Sequence, residues 1–110
     1  MMLLQIYFSV TDENTTDFEK MYEEVYVPAL RKQQGYIRSS LLRIFPPAMA
    51  QKIQAKSTDY NYQMMLMFDT EENRLKWVDS PEHRQAWPAA EAMTQDVAHR
   101  AYDLVRQDIV

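Results

Sequence analysis

An α+β fold with the element order β-α-β-β-α-β follows from three features of the sequence. Two stretches, Leu3–Val10 and Tyr60–Phe68, place apolar side chains at every second position, the period of a strand. An apolar stripe through Phe18, Met21, Tyr22, Val25 and Ala29 repeats at spacings of three and four, the period of a helix. Two helix-start signatures, Thr70-Glu71-Glu72 and Ser80-Pro81-Glu82, then follow the second strand stretch.

In Leu3–Val10, Leu4, Ile6, Phe8 and Val10 make an apolar face, and Leu3, Gln5, Tyr7 and Ser9 a mixed one. After a polar connection, Thr16 and Glu19 have the spacing of a capping box, in which each side chain satisfies an orphan N–H of the other's region. Pro28 lacks an N–H, so it is expected to kink the first helix or split it in two. Gly35, the only glycine, falls where that helix has to stop, the place for a left-handed residue. The second strand runs Tyr36–Phe45 and is closed by Pro46-Pro47. Its two faces are both mixed, so the pattern leaves open which one meets the helices. Residues 48–59 form a long polar connection with at most one helical turn.

In Tyr60–Phe68 one face is wholly apolar apart from tyrosine hydroxyls, and the other carries Asn61, Gln63, Met65 and Met67, so neither is freely solvated. Thr70 caps a short helix with Leu75, Trp77 and Val78, and Ser80 caps a second one with Pro81 at its first position. Pro88 is expected to break this helix just past Trp87. Helix is expected to resume over Ala89–Arg100, with Ala86, Ala90, Met93 and Val97 on one stripe, and Tyr102–Val110 to form the fourth strand.

Composition narrows the function. The chain of 110 residues fits one domain, and 46% hydrophobic with 25% charged residues is ordinary for a folded protein. A net charge of -4 gives no basic footprint for nucleic acid. No apolar run reaches the roughly 20 residues of a membrane span. Met1–Val10 has no basic n-region and reads as a strand rather than a signal peptide. The absence of cysteine excludes thiolate chemistry and fits a cytoplasmic location. With two histidines, no metal site is expected within one subunit.

Short connections and right-handed crossovers close this order into a four-stranded antiparallel sheet with helices on one face, the ferredoxin-like arrangement. The other face, roughly 300 Å² from strand spacing and rise, is left bare. Covering it is worth up to roughly 7 kcal/mol per subunit at ~25 cal/mol per Å². A face-to-face homodimer is therefore expected.

The series Phe18…Tyr22, Pro28-Ala29-Leu30, Gly35-Tyr36, Ser39–Leu42, Phe68-x-Thr70-x-Glu72, Trp77-x-x-Ser80-Pro81-Glu82-His83 and Tyr102 resembles the dimeric α+β barrel superfamily over nearly the whole chain. Within it, the sequence is similar to proteins of the antibiotic biosynthesis monooxygenase type. The resemblance implies a cavity between sheet and helices, with Trp77 and His83 on the helical border and Tyr7 and Ser9 on the first strand. Haem-degrading members pair a first-strand Asn with a helical Trp and His. Here the first strand offers no Asn and Trp77 lies only six residues before His83, so a haem role is the less favoured one.

Two functions are compatible with these residues. One is a cofactor-independent monooxygenase acting on a small aromatic or quinone-like molecule. His83, in the first turn of a helix whose dipole favours the neutral imidazole, would be its base. Arg38 or Arg43 would steady the developing charge, Trp77 and Trp87 would wall the substrate, and Tyr7, Ser9 and Tyr62 would bind it, with Asn61 also available. The other is a non-catalytic homodimer that binds a small ligand, in which the same residues are packing and His83 satisfies a local carbonyl.

Overall fold

The computed structural model describes residues 1–110. Strands β1 (Met2–Val10), β2 (Tyr36–Arg43), β3 (Tyr62–Phe68) and β4 (Thr94–Asp103) form one antiparallel sheet in the order β2-β3-β1-β4. Between β1 and β2 lie a 3-10 turn (Asp12–Asn14), α1 (Thr15–Met21), a π-helical segment (Tyr22–Tyr26) and α2 (Val27–Arg31). Helix α3 (Pro47–Lys52) sits in the connection to β3, and α4 (Glu71–Val78) and α5 (Pro81–Glu91) precede β4. This is the expected ferredoxin-like arrangement. No helix is long and apolar enough to cross a membrane.

Strand β1 is central and shows why the helices lie on one side. Met2, Leu4, Ile6, Phe8 and Val10 are all buried, while the residues between them are half-buried. Its partners in β3 follow the same parity: Tyr62, Met64, Leu66 and Phe68 are buried on the helical face. Phe8 packs edge-on to Phe18 at 5.0 Å, Phe18 meets Tyr62 at 5.2 Å, and Tyr26 meets Trp77 at 5.8 Å. Such tilted and edge contacts add to simple area burial.

The first helix departs from its sequence stripe for a physical reason. Pro28 cannot donate to the carbonyl four residues back, and its ring crowds that carbonyl. The turn before it widens, with the Val27 N–H bonding to Tyr22 O, five residues back. One residue is thereby added to the turn, and the buried stripe shifts phase. Val25, expected in the core, is 38% exposed, whereas Tyr26 is 1% and Leu30 0% exposed. The Thr16–Glu19 capping box does not form. The 3-10 turn feeds straight into α1, Thr15 N–H bonds to Asp12 O, and Glu19 turns outward to other partners.

Three further corrections concern the C-terminal part. Pro88 lies inside α5 on an exposed position instead of breaking the helix. The helix ends at Glu91, and residues 94–103, expected as helix up to Arg100, are β4. Pairing along the whole free edge of β1, from Met2↔Asp103 to Val10↔Thr94, outweighs the helix preference of Ala and Arg. The strand expected at Tyr102–Val110 stops at Asp103 because β1 has no residue left to pair; only Leu104 N–H reaches Met1 O.

In β2, a bulge between Tyr36 and Arg38 explains why neither face reads as apolar. After it, Ser39, Leu41 and Arg43 stand opposite the helix-facing Leu66, Met64 and Tyr62, so Tyr36, Ser39, Leu41 and Arg43 share the helical side. Arg38 and Leu42 go to the other face.

Gly35 has φ +81° and joins α2 to β2. A Cβ there would collide with the Asp69 carboxylate and the Asn73 amide, which are themselves hydrogen-bonded at 2.8 Å. Gly35→Ala is expected to cost about 2 kcal/mol or more, from left-handed strain plus that collision. Urea unfolding of the variant checks this; an unchanged midpoint would contradict it.

Candidate functional site

The broadest cavity, about 1000 Å³, opens between α1 and the end of β2. Its apolar walls include Leu41, Ile44, Phe45, Pro47 and Met49. Its polar floor is made by Glu19, Tyr62 and Arg43. Tyr62 Oη donates to Glu19 Oε2 at 2.5 Å, and Arg43 Nη1 donates to the same oxygen at 3.1 Å. Each is there for a local reason. Glu19 is released from helix capping, Arg43 is turned inward by the β2 bulge, and Tyr62 follows the core parity of β3. Burial, reinforced by the Glu19 carboxylate, raises the Tyr62 phenol above its ordinary range while Arg43 opposes the shift. Tyr62 therefore stays a donor.

Tyr22 lines the same groove. Its hydroxyl lies 2.7 Å from Ser39 Oγ, which also accepts from Tyr36 Oη at 2.8 Å. Burial raises the Tyr22 phenol as well, against the Ser39 hydrogen bond. A second cavity of about 460 Å³ adjoins across Tyr22 and is lined by Arg31 and Arg38. A third, about 440 Å³, lies largely on the sheet face away from the helices, with Tyr7, Tyr60, Gln63 and Arg100 in its wall.

The expected site residues divide into separate groups. Tyr7 and Ser9 lie on the face turned away from the helices, because β1 gives its even-numbered residues to the core, so neither lines the groove between sheet and helices. Tyr7 donates to Gln5 and carries Arg100 over its ring at 5.7 Å; Ser9 Oγ donates to Asp59 O. Asn61 is structural: its amide accepts from Val10 N–H and donates to Val10 O. Trp77 is 1% exposed, wedged between Tyr26 and His83.

His83 has its ring edge-on to Trp77 at 4.9 Å and parallel to Trp87 at 6.3 Å, with His99 5.7 Å beyond Trp87. These rings sit toward β4, whereas Arg43 is on β2, the opposite edge of the sheet and about three strand spacings, ~14 Å, away. The structure thus brings His83, Trp77 and Trp87 together and keeps them apart from Arg43 and Arg38 on β2, with Phe8 between Trp87 and the neighbouring Tyr62. Glu19, Tyr22, Tyr36 and Ser39 do not read as site residues in the sequence; only the bulge and the released cap bring them to the groove. No three His, Asp or Glu side chains converge where they would hold a metal ion.

The antibiotic biosynthesis monooxygenase family matches residues 1–89. The chain belongs to this family. A mutant form of SnoaB from Streptomyces nogalater, described as a cofactor-independent oxygenase, is similar at 15% identity, with a TM-score of 0.73 over 96% of this chain and 94% of that one. A mutant form of MhuD, with two manganese protoporphyrin IX molecules bound per active site, is similar at 13% identity and a TM-score of 0.76 over 100% of both chains. A dimeric ferredoxin-like protein of unknown function from Thermobifida fusca is similar at 14% identity and 0.72, over 94% and 90%. At these identities the solved structures share the fold with this family member. No functionally curated protein matches the sequence.

The histidines make a prediction about pH. Burial first, then the Arg74 charge, lowers the proton affinity of His83, with Asp79 opposing; the same two causes lower that of His99. The unfolded chain then binds protons that the fold does not, so stability is lost as pH falls through the ordinary histidine range near 6.5 and levels off below the folded values. Thermal unfolding between pH 7.5 and 5.5 is expected to show this loss, and His83→Gln to reduce it. A flat profile in the parent protein would contradict it.

Proposed function

We propose that the protein is a cofactor-independent oxygenase acting on a small, electron-rich aromatic or quinone-like molecule held in the groove between α1 and β2. The observation that carries this reading is the convergence of Glu19, Tyr62 and Arg43 in one apolar-walled groove. Family membership supports oxygenase chemistry, and the fold shared with SnoaB supports doing it without a cofactor.

The flat ring rests on Leu41, Ile44, Phe45 and Met49, with its acidic O–H or C–H toward Glu19. The carboxylate takes the proton while Tyr62, held protonated by burial, keeps that carboxylate oriented. Arg43 faces the anion so formed and holds its charge. The anion is electron-rich enough to reduce dioxygen, giving a carbon-bound peroxide. At a CH₂ carbon, loss of water leaves a ketone: one oxygen atom ends in product, the other in water, and dioxygen is the only oxidant.

A second reading gives the base role to His83, with Trp87 as a wall and the buried Trp77 holding the imidazole from behind. Its support is the half-buried imidazole between two indoles, whose lowered proton affinity keeps it neutral. Oxygen uptake with a panel of anthrones and naphthoquinols separates the two. Glu19→Gln is expected to lower turnover by about 10²-fold or more, the scale of a general base, with His83→Ala near parent activity. The reverse pattern moves the base to His83. Uptake at the uncatalysed rate across the panel would leave a non-catalytic ligand-binding protein.

The protein is further proposed to act as a homodimer with the sheets face to face. The face without helices carries Leu3, Tyr7 and Met65 half-buried, and Leu42 and Tyr102 at 44% and 46% exposure, an apolar surface that a second copy would cover. The Thermobifida fusca protein of this fold is described as dimeric. Light scattering at micromolar concentration is expected to give twice the 13.1 kDa chain mass; a single-chain mass would remove the dimer.

A further inference from the structure

The cavity between α2 and β2 has an unusual lining. Arg31 and Arg38 both border it, and no acidic residue does. Neither arginine has a carboxylate within reach: the ion pairs of the chain are Arg43–Glu19, Arg74–Glu71 and Lys76–Glu72. In a chain with 16 acidic against 12 basic residues, two arginines beside one cavity with no carboxylate in its wall require another explanation than local charge balance. Strand β2 is the open edge of the sheet, so no further strand covers this side.

The hydroxyl groups point to the same ligand. Tyr22, Tyr36 and Ser39 line the cavity and share two hydrogen bonds, Tyr36 Oη to Ser39 Oγ and Ser39 Oγ with Tyr22 Oη. Three hydroxyl hydrogens serve two bonds, so one is left over. If Ser39 donates to Tyr22, the spare hydrogen is on Tyr22; if Tyr22 donates to Ser39, it is on Ser39. In either case a donor remains at the wall of a cavity that Arg31 borders from α2 and Arg38 from the open edge of β2. What fits there is an acceptor with negative charge, since guanidinium forks match planar oxyanions.

We propose that this cavity binds an oxyanion, and that the oxyanion is the carboxylate of the aromatic molecule whose ring occupies the adjoining groove. Tyr22 belongs to both walls, so one ligand can span them. The anion part stands on the lining alone; the ring part rests on the groove proposed above. The substrate class is thereby an aromatic acid rather than a neutral arene.

Isothermal titration calorimetry with 2-naphthoate, 2-naphthylmethanol and inorganic phosphate tests it, on the parent chain and on R31Q/R38Q. Both arginines are exposed, and circular dichroism confirms that the variant is folded. Naphthoate is expected to bind about tenfold or more tightly than naphthylmethanol, the scale of a charge-assisted hydrogen bond, and R31Q/R38Q to remove that difference. An equal affinity of the two naphthalenes, or a difference that survives in R31Q/R38Q, overturns the proposal. If naphthylmethanol binds as well as naphthoate and Glu19→Gln weakens both, the groove stands and the oxyanion site falls. If phosphate alone binds, and only with both arginines present, the free anion is the ligand and the link to an aromatic substrate is overturned.

Discussion

The burial of one face of β1 against the helices is the constraint on which the remaining geometry rests. Every second residue from Met2 to Val10 is withdrawn from water, and a strand can do this only if both neighbours keep its register. Strands β3 and β4 supply that register on its two sides. A slip by one residue would send Gln5, Tyr7 and Ser9 into the core and Ile6 and Phe8 out of it. The same parity carries Tyr62 to the helical side and so fixes one corner of the groove. Core packing and site geometry are therefore one decision.

Two local irregularities convert this regular sheet into a sheet with a polar site. The widened turn at Tyr22–Tyr26 rotates the end of the first helix, so that Tyr26 and Leu30 reach the core and Tyr22 stays at the edge with its hydroxyl near Ser39. The bulge after Tyr36 moves Ser39 and Arg43 to the side where the helix can meet them. Without the first, Tyr26 and Leu30 would turn away from the core. Without the second, Arg43 would stand on the bare side, away from Glu19. Irregular turns of this kind recur at functional sites.

These irregularities also explain how much the sequence discloses. Strands β1 and β3 alternate cleanly, and the caps at Thr70 and Ser80 are made by the side chains their sequences advertise: Thr70 accepts from Asn73 N–H and Ser80 from His83 N–H. Gly35 is legible because a lone glycine at a helix end has few other uses. The stripe through Val25 misleads because a period of 3.6 assumes an unbroken helix, and Pro28 removes that assumption. Strand β2 is ambiguous because an inserted residue interchanges its faces. Strand β4 is hidden because its Ala- and Arg-containing sequence favours a helix in isolation, and only the open edge of β1 makes a strand the better solution. The candidate site is the least visible part. Glu19 reads as a cap, while Tyr62 and Arg43 read as a substrate contact and a charge stabiliser for a base at His83; that Glu19 joins those two and His83 does not is a tertiary fact. His83 and the tryptophans, which stand out as letters, form their own cluster beside β4.

The side chain of Asn61 bonds to both the N–H and the carbonyl of Val10, at 2.8 and 2.7 Å. An amide group here stands in for a neighbouring peptide, so the chain returning from the 44–61 excursion is fastened to the end of β1 before β3 begins. The excursion is thereby mechanically insulated from the sheet. The groove takes Ile44, Phe45, Pro47 and Met49 from this excursion, so substitutions there can change its rim without altering strand alignment, which makes this segment the natural place for evolution, or an engineer, to alter which molecules are admitted while leaving the scaffold intact.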